Sequence, residues 1–127
     1  VKKIRGIVDQ IATEMGFGRS DVFNLKLAIN EAHANVIEHA YMGSDTGRII
    51  FKFYVYRDRL EVVIRDFGTG MPQKTIKGRE DLDVIEGSGL GLYLIESVMD
   101  RVYYKRTSVV GTELILIKYL SAKKETE

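Results

Sequence analysis

Residues 31–41 read Glu31-Ala32-His33-Ala34-Asn35-Val36-Ile37-Glu38-His39-Ala40-Tyr41, and the reading of this stretch decides the fold. Glu31 and Asn35 stand one helical turn apart, so in a helix their side chains leave the same side. Val22, Leu25, Ile29, Ala32, Val36 and Ala40 recur at helical spacing and form one apolar stripe. At about 100° per residue, the Glu31–Asn35 pair lies roughly 100–140° from the centre of that stripe. A carboxylate and an amide therefore share the flank of a helix that is tied to a core. An amide oxygen is a hard ligand suited to Mg²⁺, and a carboxylate suits a general base. Taken alone, the pair reads more readily as a solvated flank, and Glu38 on the same side reads as solvated too. His33 and His39 are six residues apart and turn to different sides, so they cannot form the zinc pair of a metalloprotease. His39, one turn beyond Asn35, reads as a structural buttress.

Working outward, Ser20 is the expected N-cap of this helix, and the pattern carries it to about Ala40. Upstream, Ile4, Ile7, Val8, Ile11 and Met15 predict a first helix over 1–16, ended by Gly16. Downstream, a loop over 41–47 leads to alternation over 49–57. Phe51, Phe53 and Val55 point one way there, and Lys52, Tyr54 and Tyr56 the other, which predicts a strand. Arg57-Asp58-Arg59 makes a tight connection to a second strand over 60–65.

Residues 67–88 are rich in Gly, Lys, Asp and Glu and hold the single proline, Pro72. They read as a mobile loop with a helical turn over 82–85, and at ~20 residues such a loop calls for a functional reason. A helix over 89–99 follows with Leu90, Leu94 and Val98 inward, then strands over about 101–107 and 112–120 and a polar tail from Ser121. This order predicts an α/β (α+β) two-layer sandwich. About three helices cover one face of a mixed, mostly antiparallel sheet of at least four strands.

The chain of 127 residues fits a single domain, 1–127. It has no cysteine, which excludes disulfides, Cys-ligated zinc, iron–sulfur clusters and thiol catalysis, and suits a reducing cytoplasm. Nineteen basic and 18 acidic residues leave a net charge of +1, so charge argues for neither nucleic acid nor an anionic membrane. No apolar run approaches the ~20 residues of a membrane span. The expectation is a cytoplasmic protein with no membrane or nucleic-acid partner.

Two further segments carry chemistry. Asp66-Phe67-Gly68-Thr69-Gly70 follows a strand, where an acid can fix the polar edge of a small ligand and glycines let backbone come close. Alone, it is as readily a loop with turn glycines. Gly87-Ser88-Gly89-Leu90-Gly91-Leu92 opens a helix, where orphan N–H groups and the helix dipole favour an anion. The spacing and the preceding loop rule out a Rossmann fingerprint, and no Gly-Lys-Ser/Thr makes it a P-loop. A plain glycine-rich helix start is the competing reading.

Together, in this order, the segments resemble the GHKL ATPases. Residues 31–41 resemble the N box, Asp66-Phe67-Gly68-Thr69-Gly70-Met71 the G1 box, and 87–92 the G2 box, while Gly111-Thr112 is similar to the short G3 element. The pattern Glu-Ala-x-x-Asn-x-x-x-His-Ala-Tyr, with Leu92-Tyr93-Leu94-Ile95-Glu96 and Met99-Asp100, most resembles the bacterial anti-sigma-factor serine kinases. The resemblance implies a Bergerat-type fold binding ATP with Mg²⁺. It further implies a homodimer that sequesters a sigma factor and phosphorylates a serine of an anti-sigma-factor antagonist. Carried over by position, Glu31 is the general base and Asn35 the Mg²⁺ ligand. Asp66 accepts a hydrogen bond from the adenine amino group, Gly68 and Gly70 shape the base pocket, and Thr112 supports the adenine side. Gly87, Gly89 and Gly91 hold the phosphates under a lid over 71–86. Met71, Ser88 and Leu90 count among the nucleotide-binding residues because they stand inside the boxes. Lys77 and Arg79 are the candidate cations of the lid. Two alternatives remain at this point: a nucleotide-gated sigma or antagonist binding module with little transfer activity, and the catalytic domain of a sensor histidine kinase.

Overall fold

In a computed structural model, residues 1–43, 47–68, 88–106 and 110–120 are described, with 88–90 as backbone alone. The expected lid over 71–86, with Lys77, Arg79, Pro72 and the turn over 82–85, lies outside these residues, as does the tail from Ser121. Helix α1 (Lys2–Met15) buries Val8 and Ala12, with Ile4, Ile11 and Met15 packed at the core's edge. Ile7, at the margin of that arc, is exposed instead. Gly16 ends the helix at φ 103°, a left-handed conformation that costs glycine nothing.

Helix α2 (Arg19–Asn35) starts ahead of the expected cap. Gly18, not Ser20, occupies the N-cap position, with no side-chain cap bond. The reason lies in the turn before it: Phe17 is buried, and the Gly18 carbonyl already accepts the first helical bond, from the Val22 N–H at 3.0 Å. Ser20 is thereby drawn into the first turn. The helix runs on through a π-helical turn, Val36–Ala40, where the Tyr41 N–H reaches back to the Val36 carbonyl at 3.2 Å. The expected stripe is buried throughout, with Leu25, Ile29 and Ala32 at 0% exposure.

Strands β1 (Ile49–Val55), β2 (Arg59–Asp66), β3 (Arg101–Arg106) and β4 (Thr112–Tyr119) form a four-stranded sheet in the order β1-β2-β4-β3. Every pairing is antiparallel. One face carries Phe51, Phe53, Leu60, Val62, Ile64, Leu114 and Leu116 into a single apolar core with the helices. At ~25 cal/mol per Å² this apolar burial is the main driving force for the fold.

Helix α3 (Ser88–Val98) packs against α2, but not with the expected face. Leu92, Ile95 and Met99 are buried in the core, while Val98 only flanks it and Leu94 is half-buried. The helix is apolar nearly all round, so periodicity alone does not choose a face. Gly91 chooses it by allowing close approach to α2. Lys118, only 8% exposed, points into the helical layer from β4. Its Nζ donates to the Val98 carbonyl at 2.8 Å and lies 3.7 Å from Asp21 in the first turn of α2.

Candidate functional site

The first part of the site lies where β2 and β4 meet. Asp66 and Thr112 are paired across the two strands, which places both side chains on the helix-covered face. Each is 2% exposed. The Thr112 hydroxyl donates to Asp66 Oδ2 at 2.7 Å, and the Gly68 N–H donates to Asp66 Oδ1 at 3.1 Å. A hydroxyl and an amide thus fix the carboxylate, leaving its remaining lone pairs for a third donor. The Tyr104 hydroxyl stands 3.4 Å from Thr112 Oγ1 behind this pair. Gly111 is obligatory on two counts: its φ is +100°, and a Cβ there would run into the Asp66 carbonyl.

The second part lies along α2. A Cβ added to Gly91 would stand 3.3 Å from both terminal atoms of the Asn35 amide and 3.5 Å from Glu31 Oε1. The carboxylate–amide pair therefore faces the opening turn of α3, where orphan N–H groups and the positive end of the helix dipole favour an anion. Asn35 is 8% exposed and so is not a solvated flank residue. Among the described residues, its buried Nδ2 has no hydrogen-bond partner, and neither has Nε2 of His39. Unpaired buried polar atoms are costly and uncommon, because each forfeits its bonds to water. Glu38 is exposed, as its position suggested.

The two parts are joined at the end of the π-helical turn. A Cβ on Gly68 would collide with the Ala40 carbonyl. One helix thus touches the head of α3 at Glu31 and Asn35 and the loop after β2 at Ala40. Of the residues expected from sequence, Glu31, Asn35, Asp66, Gly68, Gly91 and Thr112 come together in this way. Ser88, Gly89 and Leu90 open α3, seen as backbone. Gly70, Met71 and Gly87 lie outside the described residues.

The sequence reading missed two supports. The Tyr41 hydroxyl accepts the Phe67 N–H at 2.8 Å, and the Phe67 ring lies 5.2 Å from the Arg48 guanidinium carbon and 4.6 Å from that of Arg65. Tyr41 stood inside the quoted stretch, but local spacing carries no sign of a partner 26 residues away.

No group of three or more metal-ligating side chains occurs among the described residues. An ion held here would rest on few protein ligands and on oxygens from elsewhere, as Mg²⁺ with nucleotide phosphates does. A match to the family model of the histidine kinase-like ATPase domain spans residues 1–118. The chain belongs to that family. Among its curated relatives, the serine-protein kinase RsbW of Listeria monocytogenes serotype 4a is 35% identical over 126 residues, covering 92% of this chain and 78% of the relative. RsbW of Bacillus licheniformis is 34% identical over 128 residues, covering 95% and 79%. Solved structures of histidine kinases share the fold. The histidine kinase domain from Erythrobacter litoralis EL346 superposes with a TM-score of 0.65 at 19% identity, over 98% of this chain and 61% of that one. The mycobacterial sensor histidine kinase MprB gives 0.58 at 23% identity, over 77% and 71%. The family match and the names of these relatives together support a protein kinase. No helix among the described residues is long and apolar enough to cross a membrane.

Proposed function

We propose that this domain binds ATP with Mg²⁺ and transfers the γ-phosphoryl group to a serine of an anti-sigma-factor antagonist, and that it sequesters a sigma factor in the same cycle. The carrying observation is the approach of Gly91 to Asn35 and Glu31, which sets a buried amide, its Nδ2 without a partner among the described residues, and a carboxylate at the head of a helix. These residues fit the implied ion in the chemistry of their donors: the Asn35 amide oxygen is a hard ligand, and the buried Nδ2 beside it has no hydrogen-bond partner among the described residues. When bound, Mg²⁺ supplies charge neutralisation for the phosphates.

The roles of this chain's own residues are those that the resemblance implies. Glu31 accepts the proton of the attacking serine hydroxyl. Asn35 holds the ion, and Gly87, Gly89 and Gly91 offer backbone N–H groups to the phosphates. Asp66 takes the adenine amino group. Guanine would present a carbonyl there, setting two acceptors face to face, a mismatch worth ~10⁴ in selectivity. Gly68, Gly70, Met71 and Thr112 shape and support the base pocket, and Ser88 and Leu90 flank the phosphate turn. By family resemblance the single domain works as a cytoplasmic homodimer.

The names of the relatives favour serine over histidine as acceptor, since the sensor kinases match below 25% identity and speak for the fold alone. The test is to incubate the protein with γ-labelled Mg·ATP, a sigma factor and candidate antagonists. Label on an antagonist serine supports the proposal. A nucleotide-dependent complex without labelled product would establish the binding-module alternative instead.

A further inference from the structure

Tyr41 stands where the helix bearing Glu31 and Asn35 gives way to the loop before β1, and its hydroxyl is engaged twice. It accepts the Phe67 N–H at 2.8 Å and donates to the Arg48 carbonyl. Its ring fills the space a side chain at 47 would need, since a Cβ on Gly47 would collide with the ring carbons. One residue earlier, the Ala40 carbonyl leaves no room for a side chain on Gly68. Successive residues Ala40 and Tyr41 thereby clamp Gly68 and Phe67, the two residues that follow Asp66.

The π-helical turn makes this clamp possible. Its i→i+5 bond, from the Tyr41 N–H to the Val36 carbonyl, takes one residue more than an α-helical turn. The extra residue shifts 40 and 41 out of phase with Asn35, so that they meet β2 rather than continue the helix. Turns of this kind concentrate at functional sites.

The geometry points to Tyr41 as a positioning residue for base selectivity: through the Phe67 peptide its hydroxyl holds the Asp66 carboxylate in the pose that separates adenine from guanine. This rests on the ATP reading above. The Phe67 N–H belongs to the peptide unit that also carries the Asp66 carbonyl, and the next amide is the Gly68 N–H bound to Asp66 Oδ1. The two guanidiniums at the Phe67 ring hold the side chain, and Tyr41 holds the backbone. With the hydroxyl gone, the peptide unit is free to rotate. The Gly68 bond to Oδ1 then loosens, and the direction of the free lone pairs on Asp66 is no longer set. Thr112 still holds Oδ2, so the pocket survives but selects less sharply.

The experiment is equilibrium titration of Mg·ATP and Mg·GTP into wild type, Tyr41→Phe and Gly47→Ala, with a thermal melt of each protein without nucleotide. Tyr41→Phe removes one oxygen, and Gly47→Ala drives the ring from its seat without touching the hydroxyl. In both variants the ATP Kd rises about three- to tenfold while the GTP Kd changes by less than about twofold, the size expected for one hydrogen bond. Equal weakening of both nucleotides together with a lower melting temperature marks a merely structural role and overturns the inference. An unchanged ATP-to-GTP ratio in both variants overturns it as well. Should wild type bind no Mg·ATP, the ATP reading itself falls and this inference with it, a result distinct from the other two.

Discussion

The hydroxyl of Thr112 donates a 2.7 Å hydrogen bond to Asp66 Oδ2 across 46 residues of chain, with both side chains buried. The bond exists because the β2–β4 register places these two residues opposite each other at one end of the sheet. Thr112→Val keeps the shape and deletes the donor, leaving a buried carboxylate oxygen short of a partner. ATP affinity is expected to fall about tenfold, with about 1–3 kcal/mol lost from stability. Isothermal titration and urea unfolding read the two effects separately.

Asp66→Asn replaces an acceptor with a group that can also donate. Under the proposed role, ATP binding falls by about 10²-fold or more, because a donor can be turned toward the adenine amino group. Titration with Mg·ATP checks this, and undiminished affinity would remove Asp66 from the base pocket.

Gly91 supplies a graded test of the junction between α2 and α3. A Cβ there stands 3.3 Å from the Asn35 amide, tight enough that the neighbour must give way. Gly91→Ala is expected to weaken Mg·ATP binding about tenfold and Gly91→Val about 10²-fold or more, as overpacking displaces the amide. Circular dichroism melts show whether the fold persists while binding is lost.

Glu31→Ala removes the proposed base but no expected nucleotide contact. Phosphoryl transfer to the antagonist should drop by ~10²–10⁴ with ATP Kd changed by about twofold at most. A transfer assay under single-turnover conditions decides it; full activity would exclude Glu31 as the base.

Lys118 ties β4 to the end of α3 and the start of α2. Lys118→Met retains the apolar stem but leaves the Val98 carbonyl without its donor. A loss of about 2 kcal/mol is expected, since hydrogen bonds from charged groups contribute roughly 1.5–3 kcal/mol. Urea unfolding measures it.

His33 predicts a pH effect. Burial lowers its pKa below the usual 6.5, because a half-covered imidazole loses solvation when it charges. The unfolded chain therefore binds the proton more readily than the folded one. The neutral side chain's contribution is fully present above pH 6.5 and is lost as pH falls from there through the lowered folded value. His33→Gln should flatten the decline of melting temperature below about pH 6.5. A melting series from pH 7.5 to 5 follows it, and an identical slope in both proteins would contradict the assignment.

Much of this was legible in the chain itself. The buried stripe from Val22 to Ala40 and the strand alternation follow from periodicity, which local backbone geometry imposes on any segment that packs on one side. The pairing of Glu31 with Asn35 follows from the helical turn. The helix boundary at Gly18 and the inward face of α3 did not follow, because both depend on what packs against them: Phe17 into the core, Gly91 onto Asn35.

The sequence alone determined which residue types were on hand for chemistry and along which helix or strand end each would stand. Only the tertiary structure decided that Asn35 is buried against α3, that Thr112 meets Asp66, and that a π-helical turn brings Tyr41 to Phe67. These contacts join residues 26 or more positions apart in two of the three cases, while the third reflects the approach of α3 to α2. Such contacts are fixed by strand register and helix packing, which minimise exposed apolar surface over the whole chain rather than within any one segment.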